Sequence, residues 1–318
     1  MDRKIKLLFA VLLVLTTVGR AASFGAALSI AQDSRQRTNG RAAVADLRVP
    51  RPASFREVPG RGLIVRTWIN SAGPFNFAID TGAGATLLSP RVAEEARVKI
   101  RNGRSTSIAG LSGASISARN ASIQSLAIGD SENYLPAKGE AVVTSGLPGD
   151  LDGVLDPTEV FSQLGYVIDL PQHELSAFDA RTNPLRISEQ PEEGTVVQWL
   201  REGHGRRPFV MLDNGDRALL DTGSSLGLAI RDSSSSNREA FDYSVRDVGG
   251  GHISARRVAA TTITIGSLTL RRIPTDLVSG TEADAPVLLG LSALRPFRLR
   301  FDPVHRLIEI APGETRRK

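Results

Sequence analysis

The strongest constraint on the fold is a phrase that occurs twice. F-A-I-D-T-G-A-G-A-T-L-L (residues 77–88) returns 141 positions later as A-L-L-D-T-G-S-S-L-G-L-A-I (residues 218–230). In each copy an apolar run leads into an aspartate and a glycine turn, and a second apolar run follows. One D-T-G alone reads as a polar turn, since Asp and Gly are common in turns. Two copies set in the same order of elements point to a duplicated unit. The repeat also extends downstream: I-S-A-R opens and I-G closes both 116–129 and 253–266. Each half ends on a Pro-x-His turn between alternating strands, L-P-Q-H-E-L at 170–175 and D-P-V-H-R-L at 302–307.

Duplication of β-rich halves implies a mainly all-β chain. The expected form is two similar β-barrel-like lobes with short helices, bilobal and related by an approximate twofold axis. At 318 residues each half can bury its own core, and 30 Gly with 17 Pro suit a turn-rich β protein. The expected divisions are a signal peptide at 1–27, a flexible polar leader at 28–60 and a first lobe at 61–180. A polar, proline-bearing linker at 181–200, a second lobe at 201–313 and a basic tail at 314–318 complete the chain.

The first six residues are a basic head, residues 7–18 are apolar, and small residues follow. That is the layout of a secretory signal, cut after Ser23 or Ala27. It predicts an exported protein, periplasmic or secreted, with no stable membrane insertion once the signal is removed. An uncleaved anchor is the alternative, opposed by Arg20, which interrupts the apolar stretch. The net charge of +5 comes from arginines spread along the chain, without the clustering on one element that nucleic acid requires. With no cysteine in the sequence, disulfides and thiol catalysis are excluded.

If the two halves face each other across a twofold axis, their equivalent turns meet and Asp80 lies beside Asp221. Two carboxylates this close in a poorly solvated cleft cannot both ionise easily, so they share a proton and provide an acid and a base together. Gly82 and Gly223 let backbone N–H groups approach the carboxylates. Thr81 and Thr222 each offer a hydroxyl to bridge to the opposite turn, and Ile79 and Leu220 anchor each loop in its own half.

On these residues the chain resembles the pepsin/retropepsin-like aspartic proteases, with both halves in one chain, from about residue 61 to about residue 310. The resemblance implies a peptide or protein substrate, no cofactor and no metal, and a monomer whose lobes pair within the chain. Its catalytic pair falls on Asp80 and Asp221, within Asp80-Thr81-Gly82-Ala83 and Asp221-Thr222-Gly223-Ser224. Ser224 is implied to hydrogen-bond the adjacent carboxylate. The apolar-apolar-Gly signature packed beneath the catalytic loop matches Leu288, Leu289 and Gly290. Two Gly-rich hairpins occupy the places of the substrate-covering flaps. The first contains Ile108, Ala109, Gly110, Leu111, Ser112 and Gly113, and the second contains Gly249, Gly250 and Gly251. Ordinary hairpin turns are the alternative reading of both.

The first half departs from the signature, because Val154-Leu155 is followed by Asp156 where the resemblance implies Gly. Asp156 either caps the next helix, with Pro157 in its first turn and Glu159 closing a capping box, or acts as a third carboxylate beside the pair. A distorted loop would make the chain a weak or inactive peptide-binding module of the same fold. A remote rival is a serine hydrolase: residues 223–227 satisfy G-x-S-x-G, with Ser225 as nucleophile and Asp276 and His305 downstream. Pepstatin against serine-directed reagents separates the two chemistries. The four histidines, His173, His204, His252 and His305, never fall at ligand spacing, and the repeat of His173 as His305 marks both as turn residues.

Overall fold

A computed structural model of the chain describes residues 48–101, 105–136, 139–147, 150–202, 205–232 and 243–313. It also gives the backbone of two amino-terminal strands, Leu8–Ala10 and Val14–Leu15. The rest of the expected signal peptide, the leader up to residue 47, His204 and the basic tail 314–318 lie outside the described residues.

Aliphatic and β-branched residues set the local structure, and the described chain is mainly β with three short helices, Pro90–Glu95, Pro157–Val160 and Leu291–Leu294. Strands Gly62–Ile69 and Ala72–Ile79 form a hairpin with Leu63 opposite Ile79. Asn70 and Ser71, at φ of 50° and 69°, make the two-residue turn whose twist suits adjoining strands. The second strand of this hairpin runs directly into Asp80. It also pairs in parallel with Gly153–Leu155, Ile79 opposite Leu155.

The second half is built the same way. Phe209–Met211 pairs antiparallel with Arg217–Asp221, which pairs in parallel with Val287–Gly290, Asp221 opposite Gly290. Each aspartate therefore ends a strand clamped between an antiparallel and a parallel neighbour, which fixes its direction.

The strands form an eight-stranded and a sixteen-stranded sheet. The eight-stranded sheet holds second-half strands and Leu8–Ala10. In the larger sheet the closing hairpins of the halves, Gly165–Asp169 with Glu174–Phe178 and Phe297–Asp302 with Leu307–Pro312, pair with each other, Ile168 opposite Leu299. One apolar cluster runs through both halves, from Ala53 to Ile310. At its centre Tyr166 stacks between Phe161 and Phe301, with ring centroids 5.9 and 4.6 Å away, and Trp199 meets Phe301 edge-on. The buried Tyr166 hydroxyl is satisfied by Thr158 Oγ1 at 2.9 Å.

Two expected boundaries are corrected. The leader does not stay flexible to residue 60, because Ala53–Val58 is a strand between Glu174–Phe178 and Gly62–Ile69, with Ala53 and Phe55 facing the core. The linker does not extend to residue 200, because Thr195–Gln198 pairs with Leu307–Pro312. Upstream of that strand, Leu185 is buried with Val196 and Leu307, and its N–H reaches the Asp302 carboxylate at 3.0 Å. In both cases a few inward apolar residues outweigh the polar letters around them. No helix among the described residues is long and apolar enough to cross a membrane.

Candidate active site

Asp80 and Asp221 are fully buried and lie against each other's loops. A Cβ built on Gly82 would stand 2.8 Å from Asp221 Oδ1, and one on Gly223 would overlap the Asp80 carboxyl group. Glycine is needed at both positions for this reason: any side chain would separate the two acids. Each carboxylate accepts an N–H from its own turn, Gly82 N to Asp80 Oδ1 at 2.7 Å and Gly223 N to Asp221 Oδ1 at 2.9 Å.

The two threonines tie the loops together reciprocally. Thr81 Oγ1 donates to Leu220 O at 2.6 Å, and Thr222 Oγ1 donates to Ile79 O at 3.1 Å. Each hydroxyl also accepts from the opposite backbone, Thr222 N to Thr81 Oγ1 at 3.0 Å and Thr81 N to Thr222 Oγ1 at 3.1 Å. Four buried bonds thus hold two segments 141 residues apart in sequence.

The remaining oxygens, Asp80 Oδ2 and Asp221 Oδ2, are buried without a donor among the described residues. A buried acceptor with no donor is costly, and a proton held between the two groups relieves both. Burial and then the Asp221 charge push the Asp80 carboxyl well above the ordinary carboxylate range. Burial also raises Asp221, but only to about 6, because the neighbouring Asp80 carboxyl and the Gly223 and Ser224 amides favour its charged form. Both carboxyls are raised together, so their titration belongs to the pair, and one proton on the pair is favoured over two charges.

Asp156 lies next to the first loop, since Leu155 O accepts the Asp80 N–H at 3.0 Å. Asp156 does cap the helix, its Oδ1 accepting Thr158 N at 2.9 Å, with Pro157 in the first turn. The capping box is corrected. Glu159 Oε2 accepts Thr86 N at 2.8 Å, while the Asp156 N–H reaches Thr86 Oγ1 at 3.4 Å. Asp156 Oδ2 is buried without a partner among the described residues, and burial followed by the Glu159 charge pushes this carboxyl up to about 7. In the second half Gly290 is enforced, since a Cβ there would come within 2.6 Å of Leu226 O and 2.7 Å of Ser224 O. Leu288 and Leu289 are fully buried beside it.

Ser224 supports Asp221 through its backbone amide, while its Oγ accepts from Leu226 N at 3.3 Å. Ala83 is buried behind the first loop. Ile108 and Ala109 end strand Thr106–Ala109, and 110–113 form the turn into Ser115–Ser122. In the second half, 248–251 connect Tyr243–Asp247 with His252–Ile265. Both Gly-rich segments are hairpin tips, and they touch each other.

The serine arrangement is not assembled. His305 Nδ1 is 2.8 Å from Asp302, Asp276 is paired with Arg257 at 2.7 Å, and Ser225 Oγ has no partner among the described residues. His173 stacks on Phe55, and His252 Nδ1 is 3.3 Å from Ser244 Oγ. No group of three or more His, Asp or Glu among the described residues could hold a metal ion. Sequence reasoning missed Asp247, a buried acid in the second hairpin, although the repeated I-S-A-R aligns it with Gly110.

A family model described as Aspartyl protease matches residues 65–155, so this part of the chain carries a retropepsin-like aspartyl protease domain. The matched stretch contains Asp80 and ends before Asp221. No curated protein matches the sequence.

Proposed function

We propose that the protein is an aspartic endopeptidase that cleaves peptide bonds with water activated between Asp80 and Asp221, in a cleft between two lobes. The observation that carries this reading is the pair of buried carboxyls with unpartnered Oδ2 atoms, fixed by the reciprocal threonine bonds. Ionised Asp221 takes a proton from a water that both groups hold. Asp80 gives its proton to the scissile carbonyl oxygen while the water oxygen adds to the carbonyl carbon, forming a diol. Asp221 then passes the water's proton to the amide nitrogen, Asp80 takes back a proton from the diol, the C–N bond breaks, and an acid and an amine leave without a covalent enzyme intermediate.

The substrate is an extended peptide lying beneath the two hairpins. The hairpin edges accept strands: Val14–Leu15 pairs antiparallel with Thr106–Ala109, and Leu8–Ala10 pairs parallel with Tyr243–Asp247. One extended chain passing between twofold-related edges must run antiparallel to one and parallel to the other, and strand addition of this kind supplies main-chain affinity. The basic, apolar and small-residue order of the first 27 residues supports an exported protein, periplasmic or secreted.

Only the singly ionised pair contains both a base and an acid. Activity therefore rises as pH passes upward through about 6, where Asp221 loses its proton, and falls only at the higher pH where Asp80 ionises. The test is a pH series of peptide-cleavage assays on the parent, Asp80→Asn and Asp221→Asn. Each variant should lose roughly 10³-fold or more in kcat, and parental turnover in either one rules out the mechanism. Asp156, in place of a glycine beside Asp80, favours a second reading as a peptide-binding module. That reading gives peptide binding that survives Asp80→Asn and no cleavage by the parent at any pH.

A further inference from the structure

The two hairpin tips interlock. Leu111 of the first packs into the second-half cluster of Phe209, Leu219, Leu226 and Val245. Val248 of the second packs into the first-half cluster of Ile64, Ala78, Ala83 and Ile108. Between them lies the Asp247 carboxylate, 2% exposed. Its Oδ2 accepts Ser112 N–H of the opposite hairpin at 2.8 Å, and its Oδ1 accepts Gly251 N–H of its own turn at 3.0 Å.

The turns are otherwise copies. I-S-A-R begins at 116 and at 253, so Gly110 and Asp247 hold the same place in the repeat. Gly110 N bonds Ala114 O as Asp247 N bonds Gly251 O, at 2.9 and 3.1 Å, and Gly113 N bonds Gly110 O as Gly250 N bonds Asp247 O, each at 3.1 Å. A Cβ on Gly110 would overlap the Asp247 carboxylate. The two equivalent positions meet face to face, and only one of them can carry a side chain.

We propose that Asp247 is a one-sided latch: its carboxylate holds the two hairpins closed over the cleft through the Ser112 amide, and a substrate enters when that bond opens. The proposal rests on the reading of the hairpins as covers of a peptide site, and it makes Asp247 a positioning residue that does not touch the reacting atoms. A hydrogen bond to a buried charged acceptor is strong enough for its loss to change local opening by an order of magnitude.

Amide hydrogen exchange on the full-length chain tests this without requiring cleavage, so its failure is distinguishable from failure of the peptidase reading. In Asp247→Ala, exchange at Ser112 and Gly251 should accelerate by about tenfold or more, while Thr81 and Thr222 amides keep parental protection. Moving the carboxylate to the equivalent position, with Gly110→Asp and Asp247→Gly together, should restore slow exchange at both tips, while Gly110→Asp alone should force them apart. For a short peptide substrate, Asp247→Ala should lower KM several-fold, because the open hairpins are then more populated, and change kcat by less than about twofold. Unchanged exchange at Ser112 in Asp247→Ala overturns the latch. So does faster exchange that spreads equally to Thr81 and Thr222, which indicates general loosening.

Discussion

At the scale of single residues, Asp156 separates a structural duty from an electrostatic one. One oxygen caps the helix and the other is buried without a donor, so the carboxyl keeps its proton up to about pH 7. The folded value lies above the unfolded one of about 3.9, so its stabilising contribution is complete at low pH and is lost as pH rises through about 7. Asp156→Asn retains a capping oxygen and has no charge to bury. Its unfolding free energy should exceed the parent's by on the order of 4 kcal/mol at pH 8 and match it near pH 4. Denaturant unfolding at the two pH values measures this, and a gain that is equal at both contradicts the assignment. The cap was legible in D-P-T-E, since residue type and spacing carry that signal. The diversion of Glu159 to Thr86 was not, because 73 residues separate them and only the assembled fold makes them neighbours.

At the scale of elements, the two D-T-G loops act as one unit through Thr81 and Thr222. Thr81→Val removes a hydroxyl that donates to Leu220 O and accepts from Thr222 N. Two buried backbone groups would lose their partner, at a cost of about 2–4 kcal/mol. Turnover should fall more than substrate affinity, because the geometry of the acid pair loosens first. Thr81→Ser keeps the hydroxyl and should recover most of both, measured by thermal unfolding and by kcat. If Val and Ser behave alike, the bridge does not hold the loops. The loops and both hairpin tips could be read from the repeat. That the Ser224 hydroxyl accepts from the Leu226 amide was not legible, because no signature discloses that local bond.

At the scale of the whole molecule, the halves share one apolar core. Phe301 stacks on Tyr166 and meets Trp199, so Phe301→Ala should cost about 3–5 kcal/mol. Calorimetry should still record one cooperative transition at a lower temperature, and early unfolding of the second half alone would contradict a common core. The mainly β architecture was legible in the sequence, but the pairing of the closing hairpins was not, since letter order does not say which sheet edges meet. Strand Ala53–Val58 was hidden by neighbouring Arg and Pro residues, with only Ala53 and Phe55 to mark its inner face.

The proton proposed to be shared by Asp80 and Asp221 is read most directly by carbon-13 NMR titration of protein labelled at its aspartate carboxyls, with Asp80→Asn and Asp221→Asn identifying the two signals. One carboxyl should titrate near pH 6 and the other should hold its proton well above the ordinary carboxylate range. Two independent titrations near the usual value of about 4 would contradict it.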